Sequence, residues 1–218
     1  MELLVFDLDG TLVDSSLDLQ VAINHALVPL EVEPVSLEET KMLVGEGITS
    51  LVEKLVAERP GLITKEELLQ RFITYYNEHL LDHTTPYPLV EATLQRLRGY
   101  KKAVVSNKIE SMSRAIINGL NMDRFFDMIV GGDTTGHKKP SPVPLLHVMQ
   151  TLNVDKGKTM LIGDSSYDIE AGRAAGVCTV AVTYGFRPAE SLKDADYLID
   201  SFDQLIDVLT KITHPNPN

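Results

Sequence analysis

The run Asp7-Leu8-Asp9-Gly10-Thr11 brings together two carboxylates, a glycine and a hydroxyl. Side chains at i and i+2 of an extended segment share a face, so Asp7 and Asp9 project together. Leu3-Leu4-Val5-Phe6, directly before them, reads as a short buried parallel strand. Open α/β sheets bind ligands outside the carboxyl ends of such strands. Two carboxylates there repel each other unless a proton or a cation intervenes. A hard cation with oxygen ligands, Mg²⁺ above all, relieves that repulsion. The competing reading is a solvated strand end carrying two incidental acids. Gly10-Thr11, followed by Asp14-Ser15, weighs against it.

Three more segments carry polar residues of suitable kinds. Ala103-Val104-Val105 leads into Ser106-Asn107-Lys108, offering a hydroxyl, an amide and backbone N–H groups. Met160-Leu161-Ile162 leads into Gly163-Asp164-Ser165-Ser166-Tyr167-Asp168, and Lys138-Lys139-Pro140-Ser141-Pro142 lies between the two. Alone, each is ordinary: a Ser-Asn turn, a Gly-Asp turn capping a helix, a solvated lysine pair. Their appearance in order, at successive strand ends of one sheet, is not.

The elements that must position these residues follow from apolar periodicity. Short apolar runs at 103–105, 128–130, 160–162 and 177–182 predict strands, with helical patterns such as Leu145, Val148, Met149 and Leu152 between them. Phe202, Leu205, Ile206, Leu209 and Ile212 predict a last amphipathic helix, and the tail from His214 to Asn218 is expected to fray. Alternating β and α units predict a parallel sheet covered on both faces. Residues 15–84 differ in character. Ile48, Leu51, Val52, Leu55 and Val56 follow one helix face, as do Leu68, Leu69, Phe72, Ile73, Tyr76 and Leu80. Leu17, Val21 and Val28 fit an earlier helix that stops near Pro29. Thr84-Thr85-Pro86-Tyr87-Pro88 then punctuates the chain like a hinge. The expected organisation is an α/β core from 1–14 and 85–218, with an all-helical insertion at 15–84.

A hydrophobic fraction of 44% and a charged fraction of 23% suit a globular chain with a sizeable core. A net charge of -11 argues against a nucleic-acid partner. It does not exclude an anionic small substrate, because a bound cation and a few lysines reverse the local field. No secretory signal pattern and no apolar run of membrane-spanning length is visible, so a cytoplasmic protein without a membrane partner is expected. The single cysteine, Cys178, rules out an intramolecular disulfide and reads as a buried, inert thiol.

Taken together, these segments resemble the haloacid dehalogenase superfamily of Mg²⁺-dependent phosphatases. Asp7 through Ser15 resembles its first motif, and Ser106-Asn107, Lys139, and Gly163-Asp164 with Asp168 resemble the second, third and fourth. Within the superfamily the chain is most similar to the phosphoglycolate phosphatase group. Pro86-Tyr87-Pro88, Gly131-Gly132-Asp133, Lys138 through Pro142 and Asp168 through Gly176 carry that likeness. The resemblance implies a Rossmann-like parallel sheet with a helical cap inserted after the first motif. It implies that Asp7 is the nucleophile, forming an aspartyl-phosphate, and that Asp9 is the general acid and base. Asp7, Asp164 and the Asp9 backbone carbonyl would hold Mg²⁺. Ser106 and Lys139 would bind the phosphoryl group, helped by N–H groups near Gly10 and Asn107. Asp168 would orient a metal-bound water or Lys139, leaving Lys138 solvated.

Other positions stay open. Thr11 either orients Asp9 or hydrogen-bonds its own loop. In Val44-Gly45-Glu46-Gly47-Ile48, Gly45, Glu46 and Gly47 form a turn at a helix N-terminus that could receive the carboxylate of 2-phosphoglycolate. The simpler reading is a sharp bend between helices. His137, beside the lysines, is the one histidine near the expected site. Leu89 stands where relatives usually carry glycine. The expected substrate is a small phosphorylated metabolite, most simply 2-phosphoglycolate, and the expected assembly a monomer or homodimer. Alternatives on the same machinery are a pyrophosphatase, a nucleotide phosphatase or a sugar-phosphate mutase. A non-catalytic phosphate-dependent binding module is the alternative of a different class.

Overall fold

In the computed structural model, which describes residues 1–58 and 61–213, Leu3–Phe6 forms β1 with all four side chains buried. It pairs in parallel with β4 (Lys101–Val105) on one side and β6 (Thr159–Gly163) on the other. The remaining strands are β5 (Met128–Val130), β7 (Cys178–Val182) and β8 (Tyr197–Ile199). The six-stranded order is β5-β4-β1-β6-β7-β8, parallel throughout. The order reverses around β1, and that reversal opens a crevice at the carboxyl ends of β1, β4 and β6.

Alternation along the strands divides the core. Leu4, Phe6, Val104, Ile129 and Ile162 face α5 (Val90–Arg96), α6 (Glu110–Gly119) and α9 (Leu205–Thr213). Leu3, Val5, Ala103, Val105 and Leu161 face α7 (Val143–Leu152) and α8 (Ser166–Ala175). The chain is therefore an α/β protein with a Rossmann-like sheet. Strand β8 was not anticipated, because Tyr197-Leu198-Ile199 is short and lies at the sheet's edge.

Between β2 (Val13–Asp14) and β3 (Thr85–Pro86), which pair antiparallel, lie α1 (Ser16–Leu27), α2 (Leu37–Leu43), α3 (Ile48–Ala57) and α4 (Lys65–Glu78). Leu17, Val21 and Val28, which suggested the first of these, are exposed. The buried face of α1 is Leu19, Ala22, Ile23 and Ala26, at i, i+3, i+4 and i+7. Helix α2 escaped notice although Ser36 and Glu39 form a capping box at its start. Buried Asp18 of α1 accepts hydrogen bonds from the Thr84 N–H (2.8 Å), the Thr84 hydroxyl (2.6 Å) and the His83 N–H (3.0 Å). It thus ties the start of the helical segment to its exit.

Among the described residues no helix is long and apolar enough to cross a membrane. Cys178 is half-buried rather than fully buried, and burial, with Asp196 nearby, raises its thiol pKa to about 11. An inert thiol is what that environment produces. The expected fraying of the 214–218 tail lies outside the described residues.

Candidate active site

The loop after β1 carries Asp7, the loop after β4 carries Ser106 and the loop after β6 carries Asp164. Lys139 enters from the connection between β5 and α7. Its ammonium lies 2.9 Å from Asp7 Oδ1 and 2.6 Å from Asp168 Oδ1. Asp7 Oδ1 also accepts the Leu8 N–H at 2.7 Å. Asp168 Oδ2 accepts from the Ser165 N–H (3.1 Å) and hydroxyl (2.5 Å), which close the capping box of α8. Asp168 thus holds Lys139 while being held itself. Asp164 Oδ2 accepts the Phe186 N–H at 2.7 Å.

Gly10 adopts φ +81°, where L side chains are strained. A Cβ there would lie 2.7 Å from Asp164 Cγ and nearer still to Oδ2. The glycine is what lets the first motif and Asp164 approach.

Asp9 stands apart from this cluster. Its carboxylate accepts the Ser15 hydroxyl at 2.5 Å and pairs with Lys108 at 3.0 Å. Burial works against the Lys108 charge, yet Asp9 and the Tyr76 hydroxyl outweigh it and hold the lysine above its ordinary range. Burial also works against Lys139, and Asp168 and Asp7 outweigh it in the same way. Burial raises the pKa of Asp164 well above the usual carboxylate range, reinforced by Asp7 and Asp168. Asp7 is raised too, chiefly by burial, with Lys139 opposing and Asp168 and Asp9 adding repulsion.

Several expected contacts are revised. The Thr11 hydroxyl neither orients Asp9 nor bonds its own loop: it is buried without a partner among the described residues. Ser15 takes the orienting place. Glu46 does not line the cavity and is corrected as a substrate ligand. Its carboxylate faces Lys54, Ser50 and Tyr167, which draw its pKa down to about 2. Gly45 and Gly47 do line the cavity. A Cβ on Gly47 would meet Lys138 Nζ at 2.8 Å and the Asn107 carbonyl at 2.9 Å, so close packing alone requires a glycine. The Asn107 amide donates to the Gly45 carbonyl (2.8 Å) and the Lys139 carbonyl (2.9 Å) and accepts the Lys139 N–H (2.8 Å). It fastens two loops and has no side-chain donor left for a substrate. His137 is exposed and does not line the cavity.

Lys108, Tyr76, Ser15 and Arg187 were not singled out from the sequence. Lys108 stood next to Ser106-Asn107, but a lysine after a strand ordinarily reads as solvated. Arg187 donates from Nη1 to the Lys41 (3.0 Å) and Met42 (2.9 Å) carbonyls, and from Nη2 to that of Val44. It caps the C-terminal end of α2 from the sheet side.

Residues 4–182 match the family model described as haloacid dehalogenase-like hydrolase. The chain belongs to the haloacid dehalogenase-like hydrolases. Phosphoglycolate phosphatase of Chromobacterium violaceum is 40% identical over 210 residues, covering 94% of each chain. Its counterpart from Aquifex aeolicus is 39% identical, covering 85% of this chain and 86% of that one. A crystal structure of a predicted phosphoglycolate phosphatase from Haemophilus somnus superposes with a TM-score of 0.90 at 29% identity. It covers 96% of this chain and 98% of that one.

Haloacid dehalogenase-like phosphatases use a divalent metal, and this donor set fits one. Asp7, Asp164 and Asp168 each present a carboxylate oxygen within 4.8 Å of the others, all buried. Both Asp168 oxygens are engaged by Lys139 and Ser165, which leaves Asp7 and Asp164 as the available ligands. Buried carboxylates in mutual repulsion become stable as anions when a hard cation joins them.

Proposed function

We propose that this phosphatase hydrolyses 2-phosphoglycolate with Mg²⁺ through an aspartyl-phosphate on Asp7. Asp7 attacks phosphorus, and the bond to the leaving oxygen breaks as Asp9 gives that oxygen a proton. Asp9 then takes a proton from the water that attacks the acyl phosphate, releasing phosphate and restoring Asp7. Ser106 and Lys139 receive the phosphoryl oxygens, and Lys139 lessens repulsion between the nucleophile and its anionic target. Asp7, Asp164 and the Asp9 carbonyl would hold Mg²⁺, which would offset charge on the phosphoryl oxygens.

The observation that carries this reading is the division of the carboxylates. Asp7 shares Lys139 with Asp168 and lies beside Asp164, whereas the Asp9 carboxylate is turned to Ser15 and Lys108. A group outside the metal cluster is free to move a proton. The cavity lined by Asp7, Asp9 and Ser106 offers about 50 Å³ to the centre of a water molecule. Walled by Val44, Gly45 and Gly47, that space suits a short leaving group. With residues 15–84 read as a cap over residues 1–14 and 85–218, the contacts of Val44–Gly47 with Asn107, Tyr167 and Arg187 support a closed position. The relatives named phosphoglycolate phosphatase support the same substrate.

The test is phosphate release with and without Mg²⁺ from 2-phosphoglycolate, pyrophosphate, nucleoside monophosphates and hexose phosphates. Phosphoglycolate should lead, and Asp7→Asn should abolish turnover in a folded protein. Near-normal kcat in Asp7→Asn would refute the mechanism, and a leading nucleotide or hexose phosphate would refute the substrate.

A further inference from the structure

Lys108 is a buried cation that lines the cavity beside Asp9. Its Nζ lies 3.0 Å from Asp9 Oδ2 and donates to the Tyr76 hydroxyl at 2.8 Å. It also sits 4.8 Å from the centre of the Tyr76 ring. An ammonium has three donors, and Asp9 Oδ1, 3.1 Å away, takes up the third. The Tyr76 hydroxyl accepts from Lys108, while its own proton meets no acceptor among the described residues. Both groups line the cavity amid Leu19, Ile48, Leu51, Phe72 and Met112. The neighbouring cations have other partners. Lys139 bridges Asp7 and Asp168, and Arg187 is turned to the Lys41, Met42 and Val44 carbonyls.

We propose that Lys108 and the Tyr76 hydroxyl form a subsite for a second anionic group, carried on the leaving portion of the substrate. The inference rests on the phosphatase reading above and defines its substrate class as phosphate esters or anhydrides with short anionic leaving groups. Asp9 must stand beside the leaving oxygen to protonate it, so the Lys108 ammonium next to Asp9 lies beside whatever that oxygen carries. An anion placed there is drawn by the ammonium's charge and takes the free tyrosine proton. Such charge-assisted bonds are stronger than neutral ones, and the apolar walls leave little water to compete. A neutral leaving group leaves the tyrosine proton unpaired in a half-apolar pocket, which is how polar sites reject analogues. Tyr76 comes from α4 and Lys108 from the loop after β4, so the subsite exists only where the helical segment meets the sheet.

The experiment compares kcat/KM for 2-phosphoglycolate, pyrophosphate and ethyl phosphate in wild type, Lys108→Met and Tyr76→Phe. Wild type should prefer the two substrates with anionic leaving groups by about 100-fold, and Lys108→Met should cut that preference at least about tenfold, through KM. Tyr76→Phe, which keeps the ring and the packing, should reduce it by about three- to tenfold. An equal loss on all three substrates carried in kcat means that Lys108 serves only Asp9, and overturns the subsite. An unchanged preference in both variants overturns it too. Calorimetric binding in an Asp7→Asn background separates this inference from the reading beneath it. There, Lys108→Met should weaken 2-phosphoglycolate and leave ethyl phosphate unaffected. If wild type lacks Mg²⁺-dependent turnover, the phosphatase reading fails, while the binding comparison still decides the subsite.

Discussion

Gly10→Ala tests whether the approach of the first motif to Asp164 is what makes the site work. The added Cβ would lie 2.7 Å from Asp164 Cγ and 3.1 Å from Oδ1. Carbon–carbon contact needs about 3.5 Å, so the carboxylate or the loop must yield by roughly 1 Å. Asp164 has little room to yield, because Phe186 donates to Oδ2 and Gly185 packs against its Cβ. Misplacement of about 1 Å costs on the order of 10²-fold in rate, and kcat/KM for the preferred substrate should fall by that much. The Mg²⁺ concentration giving half-maximal rate should rise about 10- to 100-fold, the usual cost of disturbing a ligand's support. Alanine at φ +81° also costs roughly 1–2 kcal/mol of stability. For a chain of this size, each kcal/mol corresponds to about 2–4 °C in Tm. The protein should therefore remain folded at assay temperature while losing nearly all activity. Steady-state kinetics against Mg²⁺, with a thermal melt on the same sample, measure both effects. Activity within about threefold of wild type at unchanged Mg²⁺ dependence would refute the reasoning.

Three further outcomes are expected. Leu89 caps α5 at φ +66° with its side chain about half exposed. Leu89→Gly should raise Tm by about 1–4 °C in a melt, because relief of left-handed strain exceeds the added chain entropy by about 0.5–1 kcal/mol. Asp7 and Asp164 have raised folded-state pKa values, so the native chain retains protons that the unfolded chain releases above the ordinary carboxylate range. With EDTA present, stability contributed by these two groups falls as pH rises from the unfolded value near 3.8 through about 7, and added Mg²⁺ should flatten that slope. Parallel Tm profiles with and without Mg²⁺ would refute it. Arg187→Met removes the donors that hold the Lys41, Met42 and Val44 carbonyls. It should raise KM about tenfold for every phosphate ester with little change in kcat, unlike the selective loss in Lys108→Met.

The β/α alternation and the helical stretch after the first motif were legible because they are local: period-two and period-3.6 apolar patterns survive without knowledge of the fold. Asp7, Asp9, Ser106, Lys139 and Asp164 were legible because each follows a strand or stands beside a proline at recognisable spacing. Helix α1 shows the limit. Its visible apolar residues, Leu17 and Val21, are exposed, and small alanines at 22 and 26 carry part of the buried face. Hydrophobicity marks that a helix exists more reliably than which way it turns. Glu46 shows another limit. Its sequence neighbours are glycines, but its partners Lys54 and Tyr167 come from a helix turn and from the sheet side.

By itself the sequence determined the chemistry available, namely two carboxylates on one strand end, a lysine before a proline and an acid after β6. Only the tertiary structure decided the division of labour among them. Asp168 became the holder of Lys139, Ser15 displaced Thr11 as the partner of Asp9, and Lys108 became a buried cation shared with Tyr76. The physical reason is burial. A side chain's type is a local property, but its dielectric surroundings and its partners are supplied by residues far away in sequence, 99 positions for Asp9 and Lys108 and 121 for Glu46 and Tyr167.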